Sequence, residues 1–330
     1  MKVFMKIFTI AFISFVILFS GMFFAFNTFM KDSHPNAAVP VERVDDDDHF
    51  ADTEPVIRDQ LLQAFYESNR INFIMLGLDG MLSDTMMMVS FDPDSKKLDI
   101  VSIPRDTYYP RVGYDGPGKK KINAAYGDHG ATGVKTVVSD LLLDVPIHHY
   151  VTVNYRGAAS IVNAIGGVPV TIPHPGMYYR DDYDTPPLVI NFPPGPRVLN
   201  GEDAVKFLRY RQATPGSGGL DRNGDLGRIR AQQEFMKSAI QKAMSLGNLP
   251  GLASNTLKFV RTDMELQEVM RHATSAIGLN LERVNMHMLP GEARYQGGVS
   301  YYFHDASAVR RLLLDIYEVP PDEEEIEETN

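Results

Sequence analysis

Residues Ile7 to Phe26 (IFTIAFISFVILFSGMFFAF) form twenty consecutive positions without a charge. As a helix rising 1.5 Å per residue, such a run spans about 30 Å, the hydrocarbon thickness of a bilayer. Lys2 and Lys6 precede it, and the next charge is Lys31. The positive flank is expected to stay in the cytoplasm, which puts everything after the span outside the cell membrane. A cleaved signal peptide is the competing reading. Its apolar region is usually shorter and ends at an A-x-A-like site, and none lies close by. The sequence therefore predicts a cytoplasmic end at 1–6 and a single-pass transmembrane helix at 7–26, with an extracytoplasmic domain beyond.

Residues 27–70 read as a stalk carrying Pro35, Pro40, Pro55 and the run Asp45 to Asp48. Those aspartates lack the alternating ligands and glycine turn of a calcium loop, and read as a solvated linker. A helix over 56–67, apolar at Ile57, Leu61, Leu62 and Phe65, begins the folded region. Its main body is expected over 71–319, ahead of an acidic tail at 320–330. INFIMLG (71–77) reads as a buried strand. TMMMVSF (85–91) and KLDIVSI (97–103), joined by Asp92-Pro93-Asp94-Ser95, read as a β-hairpin. Helices are predicted over 131–143, 157–165, 201–208, 230–246 and 305–317, with strands at 168–172, 285–289 and 300–303. The Tyr-, Asp- and Pro-rich stretch 174–195 reads as a surface loop. Strands alternating with helices predict an α/β domain, and the hairpin makes its sheet mixed.

The formal net charge of -10 opposes nucleic-acid binding, and the absence of cysteine excludes disulfides, thiolate metal sites and cysteine nucleophiles. Chemistry-bearing residues fall in three places. Asp79 and Asp84 lie five apart at the edges of two strands, where a turn can bring them together. Paired carboxylates suit Mg²⁺, which takes few carboxylates plus phosphate oxygens and water; the alternative is that both are turn residues. Arg105-Asp106 follows a strand and Pro104, either as a surface ion pair or as an arginine offered to an anion. Between Lys206 and Arg230 the acidic chain becomes locally basic, with six basic residues against Asp221 and Asp225. Arg209 and Arg211, two apart, cannot share a helix face, whereas Arg228 and Gln232, at i and i+4, can. Guanidinium forks match phosphate oxygens, so this region suits a pyrophosphate clamp. His148-His149 has no partner at ligand spacing and reads as structural. Lys119 to Lys121 reads as a solvated loop within reach of phosphate-bearing polymers or lipid headgroups.

INFIMLGLD, LSDTMMMVSFDP, IVSIPRDTYYP, KINAAY, AIGGVPVTI, LNGEDAVKFLRYR and DLGRIRAQQEFM, in this order, resemble the LytR-CpsA-Psr (LCP) family from about Asn72 to Met236. The resemblance implies a mixed sheet sandwiched between helices (αβα). It also implies a phosphotransferase that moves a glycopolymer from polyprenyl pyrophosphate to peptidoglycan with Mg²⁺. Carried over by position, Asp79 and Asp84 match metal-associated aspartates. Arg105, Arg209, Arg211 and Arg228 match pyrophosphate-binding arginines, and Asp225 and Gln232 match the D-x-G-R…Q block. The implied catalytic set is Asp84, Arg105, Asp106, Arg209 and Arg211, with Asp84 or Asp106 as candidate proton acceptors. Leu82 and Ala231 stand where the family usually has arginine, and Arg230 is a candidate substitute for the second. An apolar tunnel for the lipid is expected along the helices of 131–165. Two further classes fit the blocks: a non-catalytic membrane-tethered lipid-glycan binder, and a transcriptional regulator. Topology opposes the second.

Overall fold

The computed structural model describes residues 55–182, 187–210 and 225–319, and the side chains of all of these but 55–59, 225 and 226. The expected membrane span, the aspartate run, Arg211 and the acidic tail lie outside the described residues.

A six-stranded mixed sheet forms the centre, in the order β10-β3-β2-β1-β4-β9. Its strands are β1 (Ile71–Asp79), β2 (Leu82–Asp92), β3 (Lys97–Ile103), β4 (His149–Asn154), β9 (Arg261–Thr262) and β10 (Val284–Met288). β2 runs antiparallel to both β1 and β3, while β4 joins β1 and β10 joins β3 in parallel. The Met-rich run forms β2, and Met86 to Phe91 are all buried because helices cover both faces of the sheet. Strand alternation sends Met86 and Met88 to one side and Met87 and Val89 to the other.

On the first side, Ile74, Leu76, Met86, Met88 and Val101 pack against three helices. These are α1 (Pro55–Glu67), α2 (Ala125–Leu141) and α8 (Ala306–Ile316). They supply, among others, Leu61 and Phe65, Val134 and Val138, and Val309 and Leu313. Burying each such side chain contributes about 1.5–3 kcal/mol. α2 is broken at Gly130, whose φ of 65° is not helical, so the helix expected from 131 follows the kink and a separate short helical segment precedes it. On the second side, Met87, Val89 and Ile100 meet Met236 and Ile240 of α5 (Asp225–Ser245).

A second core lies beyond that face. It joins α5 to α3 (Tyr155–Ala164), α4 (Gly201–Arg209) and two small two-stranded sheets. β5 (Val168–Ile172) pairs with β8 (Gly195–Leu199), and β6 (Met177–Asp181) with β7 (Leu188–Phe192). The stretch expected to be a surface loop, 174–195, is thus largely a hairpin. Met177, Ile190 and Phe192 reach the second core, an alternation hidden by the polar residues around them. The chain continues through α6 (Leu249–Thr256) and α7 (Leu266–Ser275), then to the ribbon of β11 (Gly291–Gln296) and β12 (Val299–His304).

The sheet end away from Asp79 is fastened by a buried polar network. The Asp99 carboxylate, 1% exposed, accepts from Arg70 at 3.0 Å and Asn285 at 2.9 Å and lies 3.1 Å from His287 Nε2. The histidine pair is structural: His148 Nδ1 accepts the Asn72 N–H at 2.9 Å, and His149 lies 3.5 Å from Asp263.

Candidate active site

Between the second sheet face and helices α3 and α5 lies a cavity of about 450 Å³. Its walls are mostly apolar, with Met75, Met87, Ala158, Ile161, Phe235 and Met236 among them. Asp79, Asp84, Tyr155, Arg209, Arg228 and Gln232 also line it. One concavity therefore combines hydrocarbon walls with a cluster of charges. An apolar tunnel was expected along the helices of 131–165; of these, only α3 lines this cavity. α2 covers the opposite sheet face.

Asp84 owes its position to a break in the β1–β2 ladder. Gly77 pairs with Thr85 and Leu78 with Ser83, so Asp84 is the extra residue of a β-bulge. A bulge bends its strand and re-aims the side chain it carries. Gly77 allows the close approach, since a Cβ there would come within 2.9 Å of Thr85 Cβ. Asp79 ends β1 beside it, and its Oδ2 accepts from the Tyr155 hydroxyl at 3.3 Å. Arg105 Nη1 donates to Asp84 Oδ1 at 2.9 Å, and Arg105 Nε lies 3.9 Å from Asp106. Asp106 is held by Lys121 at 3.0 Å and is not among the residues lining the cavity.

The cations come from three elements. Arg105 follows β3; Arg209 ends α4, its guanidinium 4.9 Å from the centre of the Tyr155 ring. Arg228, 5% exposed, stands in the first turn of α5. Gln232, one turn on, donates to the Leu208 carbonyl at 3.3 Å, which ties α5 to α4. Both α3 and α5 begin at the cavity, and helix N-termini carry partial positive charge suited to anions. Asn154 caps α3 by accepting the Gly157 N–H at 2.9 Å. Burial first, and then the Asp79 charge, push the Tyr155 phenol up to about 12, so it stays a hydrogen-bond donor.

Of the residues expected to act together, Asp79, Asp84, Arg209, Arg228 and Gln232 line one cavity, and Arg105 joins them through Asp84. Arg230 is exposed and lies off the cavity wall, so it does not replace the arginine absent at Ala231, which packs against the second core. Leu82 is 44% exposed. Tyr155 and Asn154 went unnoticed in the sequence. Their signal was a helix-capping Asn directly after an apolar strand. Among the described residues no group of three or more His, Cys, Asp or Glu could hold a metal ion. Asp79 and Asp84 are the two carboxylates of β1 and β2 that line the cavity, the donor type that Mg²⁺ takes together with phosphate oxygens and water.

The family model described as LytR_cpsA_psr family matches residues 39–315. The chain belongs to this family. Among LytR-CpsA-Psr relatives it is 28% identical over 248 residues to the polyisoprenyl-teichoic acid–peptidoglycan teichoic acid transferase TagV of Bacillus subtilis. That match covers 73% of this chain and 61% of the relative, under two thirds of TagV's length. It is 32% identical over 241 residues to the enzyme of the same description, TagU, of Enterococcus faecalis, covering 71% and 72% of the two chains. The crystal structure of B. subtilis TagV superposes with a TM-score of 0.61 at 26% identity, covering 77% of this chain and all of that one. This agrees with the mixed αβα sandwich.

Proposed function

We propose that this LytR-CpsA-Psr protein is a phosphotransferase that moves a teichoic-acid-type glycopolymer from a polyprenyl pyrophosphate carrier to peptidoglycan. The observation that carries the reading is the single cavity whose apolar walls adjoin a cluster of arginines and carboxylates. A lipid pyrophosphate is that shape of molecule: hydrocarbon joined to a compact polyanion. The relatives' transferase activity on polyisoprenyl-linked teichoic acid supports it.

In the reaction, a hydroxyl oxygen of the acceptor sugar forms a bond to the glycan-bearing phosphorus. The bond from that phosphorus to the bridging oxygen breaks, and polyprenyl phosphate leaves. Arg209 and Arg228 neutralise the diphosphate, and Arg105 fixes Asp84. Asp84, inside the cavity, is better placed than Asp106 to take the hydroxyl proton. Positioning and charge neutralisation are most of what phosphoryl transfer asks of a protein. Mg²⁺ held at Asp79 and Asp84 would supply further neutralisation of pyrophosphate oxygens. We also place residues 7–26 across the cell membrane as a signal-anchor, with the N-terminus in the cytoplasm and the domain outside, where carrier and wall meet.

The test is incubation of the full chain with a lipid-pyrophosphate oligosaccharide and wall glycan, with and without Mg²⁺. We expect Mg²⁺-dependent product, reduced at least a hundredfold in Asp84→Ala and Arg209→Ala variants of unchanged fold, about 3 kcal/mol of barrier. Full turnover by either variant would reject the site. The missing arginines at Leu82 and Ala231 favour a second reading, a lipid-glycan binder without turnover. Tight binding of the donor with no product would select it.

A further inference from the structure

A second concavity, of about 180 Å³, lies beyond the Arg105 segment and has no part in the chemistry above. Tyr108, Asp115, Lys120, Gln296, Gly297 and Tyr301 line it. Resting on the transferase reading, we propose that this groove binds a sugar ring of the acceptor glycan.

The groove is built into the same framework as the reacting centre. Thr107 bridges to Tyr302; the Tyr108 N–H donates to the Tyr302 carbonyl at 2.8 Å and the Tyr302 N–H to the Asp106 carbonyl at 2.9 Å. The segment carrying Arg105 and Asp106 is therefore stitched to β12, which carries Tyr301. The Lys121 ammonium lies 3.0 Å from Asp106 and 5.8 Å from the centre of the Tyr301 ring. From Asp84 through Arg105, Asp106 and Lys121 to the groove wall, no step exceeds 5.8 Å. Transfer between two substrates needs both held on one framework, and these contacts tie the groove to the Arg105 segment, although no described residue lines both concavities.

The lining chemistry selects the ligand class. Tyr108 is half-buried and braced by Tyr301 at 5.1 Å and Phe303 at 4.9 Å, so its ring is a fixed amphipathic surface. Such a ring suits the C–H face of a sugar, while Gln296, Asp115 and Lys120 offer donors and acceptors to hydroxyl and amide groups. A polyanion would meet the Asp115 carboxylate. A hydrocarbon chain would desolvate the amide and both charges without hydrogen bonds. An uncharged, hydroxyl-rich ring satisfies all of them. At the tip of the β11–β12 ribbon, Gly297 and Gly298 turn with φ 58° and 80°, and Gly297 leaves its part of the lining without a side chain.

The experiment titrates a soluble peptidoglycan oligosaccharide into the full chain by calorimetry and, separately, measures transfer at varied acceptor and at varied lipid donor. In Lys120→Ala and Gln296→Ala, each lacking one polar partner, we expect oligosaccharide affinity to fall and acceptor KM to rise about fivefold, with donor KM unchanged. In Tyr108→Ala we expect at least tenfold on the same two readouts, and Tyr108→Phe should restore most of it. No oligosaccharide binding by the wild type, or equal acceptor affinity in all variants, would overturn the groove assignment. A wild type that binds oligosaccharide in a Lys120-dependent way yet never transfers would leave the groove standing and overturn the transferase reading instead.

Discussion

Tyr155 offers the sharpest separation of two roles in one side chain. Its hydroxyl donates to Asp79 over 3.3 Å, and its ring lies 4.9 Å from the Arg209 guanidinium. Tyr155→Phe removes only the hydroxyl; Tyr155→Ala also removes the surface against which Arg209 rests. A hydrogen bond to a carboxylate is worth about 1.5–3 kcal/mol, and this long one should fall below that range, at about 1 kcal/mol. Lost in the transition state, that is about fivefold in kcat/KM. The cation–π contact adds about 0.5–2 kcal/mol, so the Ala variant should lose roughly ten- to a hundredfold. Steady-state transfer kinetics on the full chain measure both. Because burial and Asp79 push the phenol up to about 12, its proton is retained between about pH 7 and 10. The Phe variant should accordingly show the wild-type pH profile, scaled down. A Phe variant as damaged as the Ala variant, or one that shifts the alkaline limb, would refute this division of labour.

Other expectations concern the cavity and the fold. Ala158→Phe puts a ring into the apolar wall of the 450 Å³ cavity and should cut transfer more than tenfold, with the melting temperature changed by only a few degrees; unimpaired lipid-donor turnover would show that the isoprenoid lies elsewhere. Arg70→Ala leaves the buried Asp99 short of a partner and should cost about 3–5 kcal/mol in denaturant unfolding. Burial raises the Asp99 carboxyl, but hydrogen bonds from His287 and Asn285 and the charges of Lys97 and Arg70 outweigh it and hold it below its ordinary value. Its contribution is thus fully present above about pH 4, the unfolded value, and lost as pH falls through the folded one. Asp99→Asn should flatten the acid limb of a stability–pH curve, and an unchanged limb would assign acid sensitivity to other carboxylates.

Much of the architecture could be read from residue order. The β2–β3 hairpin declared itself through two apolar runs around Asp92-Pro93-Asp94-Ser95. β5 falls where VPVTI predicted it, and α4 ends one residue beyond its expected limit. Less legible was the β6–β7 hairpin, because its core-facing side chains alternate with polar ones and its flanks carry Asp and Pro. Only one of the two helices of 131–165 lines the cavity, which periodicity could not show, because it reveals that a helix has an apolar face, not which side of a sheet it covers. At the site, residue chemistry pointed to Asp79, Asp84, Arg209 and Arg228. Asn154 and Tyr155 had a local signal in the helix cap, whereas the groove at Tyr108 depends on contacts between distant segments, which no local pattern contains.

The unmatched position in the β1–β2 hairpin has a consequence for how such a protein can change. Removing one residue between Gly77 and Thr85 would let the two strands zip into an uninterrupted ladder, which local energetics would tolerate or even welcome. The acidic group now swung toward the cavity would then be lost or turned along the regular pleat. A one-codon deletion here is thus expected to leave a sound scaffold with no chemistry, a fault that stability screens would pass and only an activity measurement would expose.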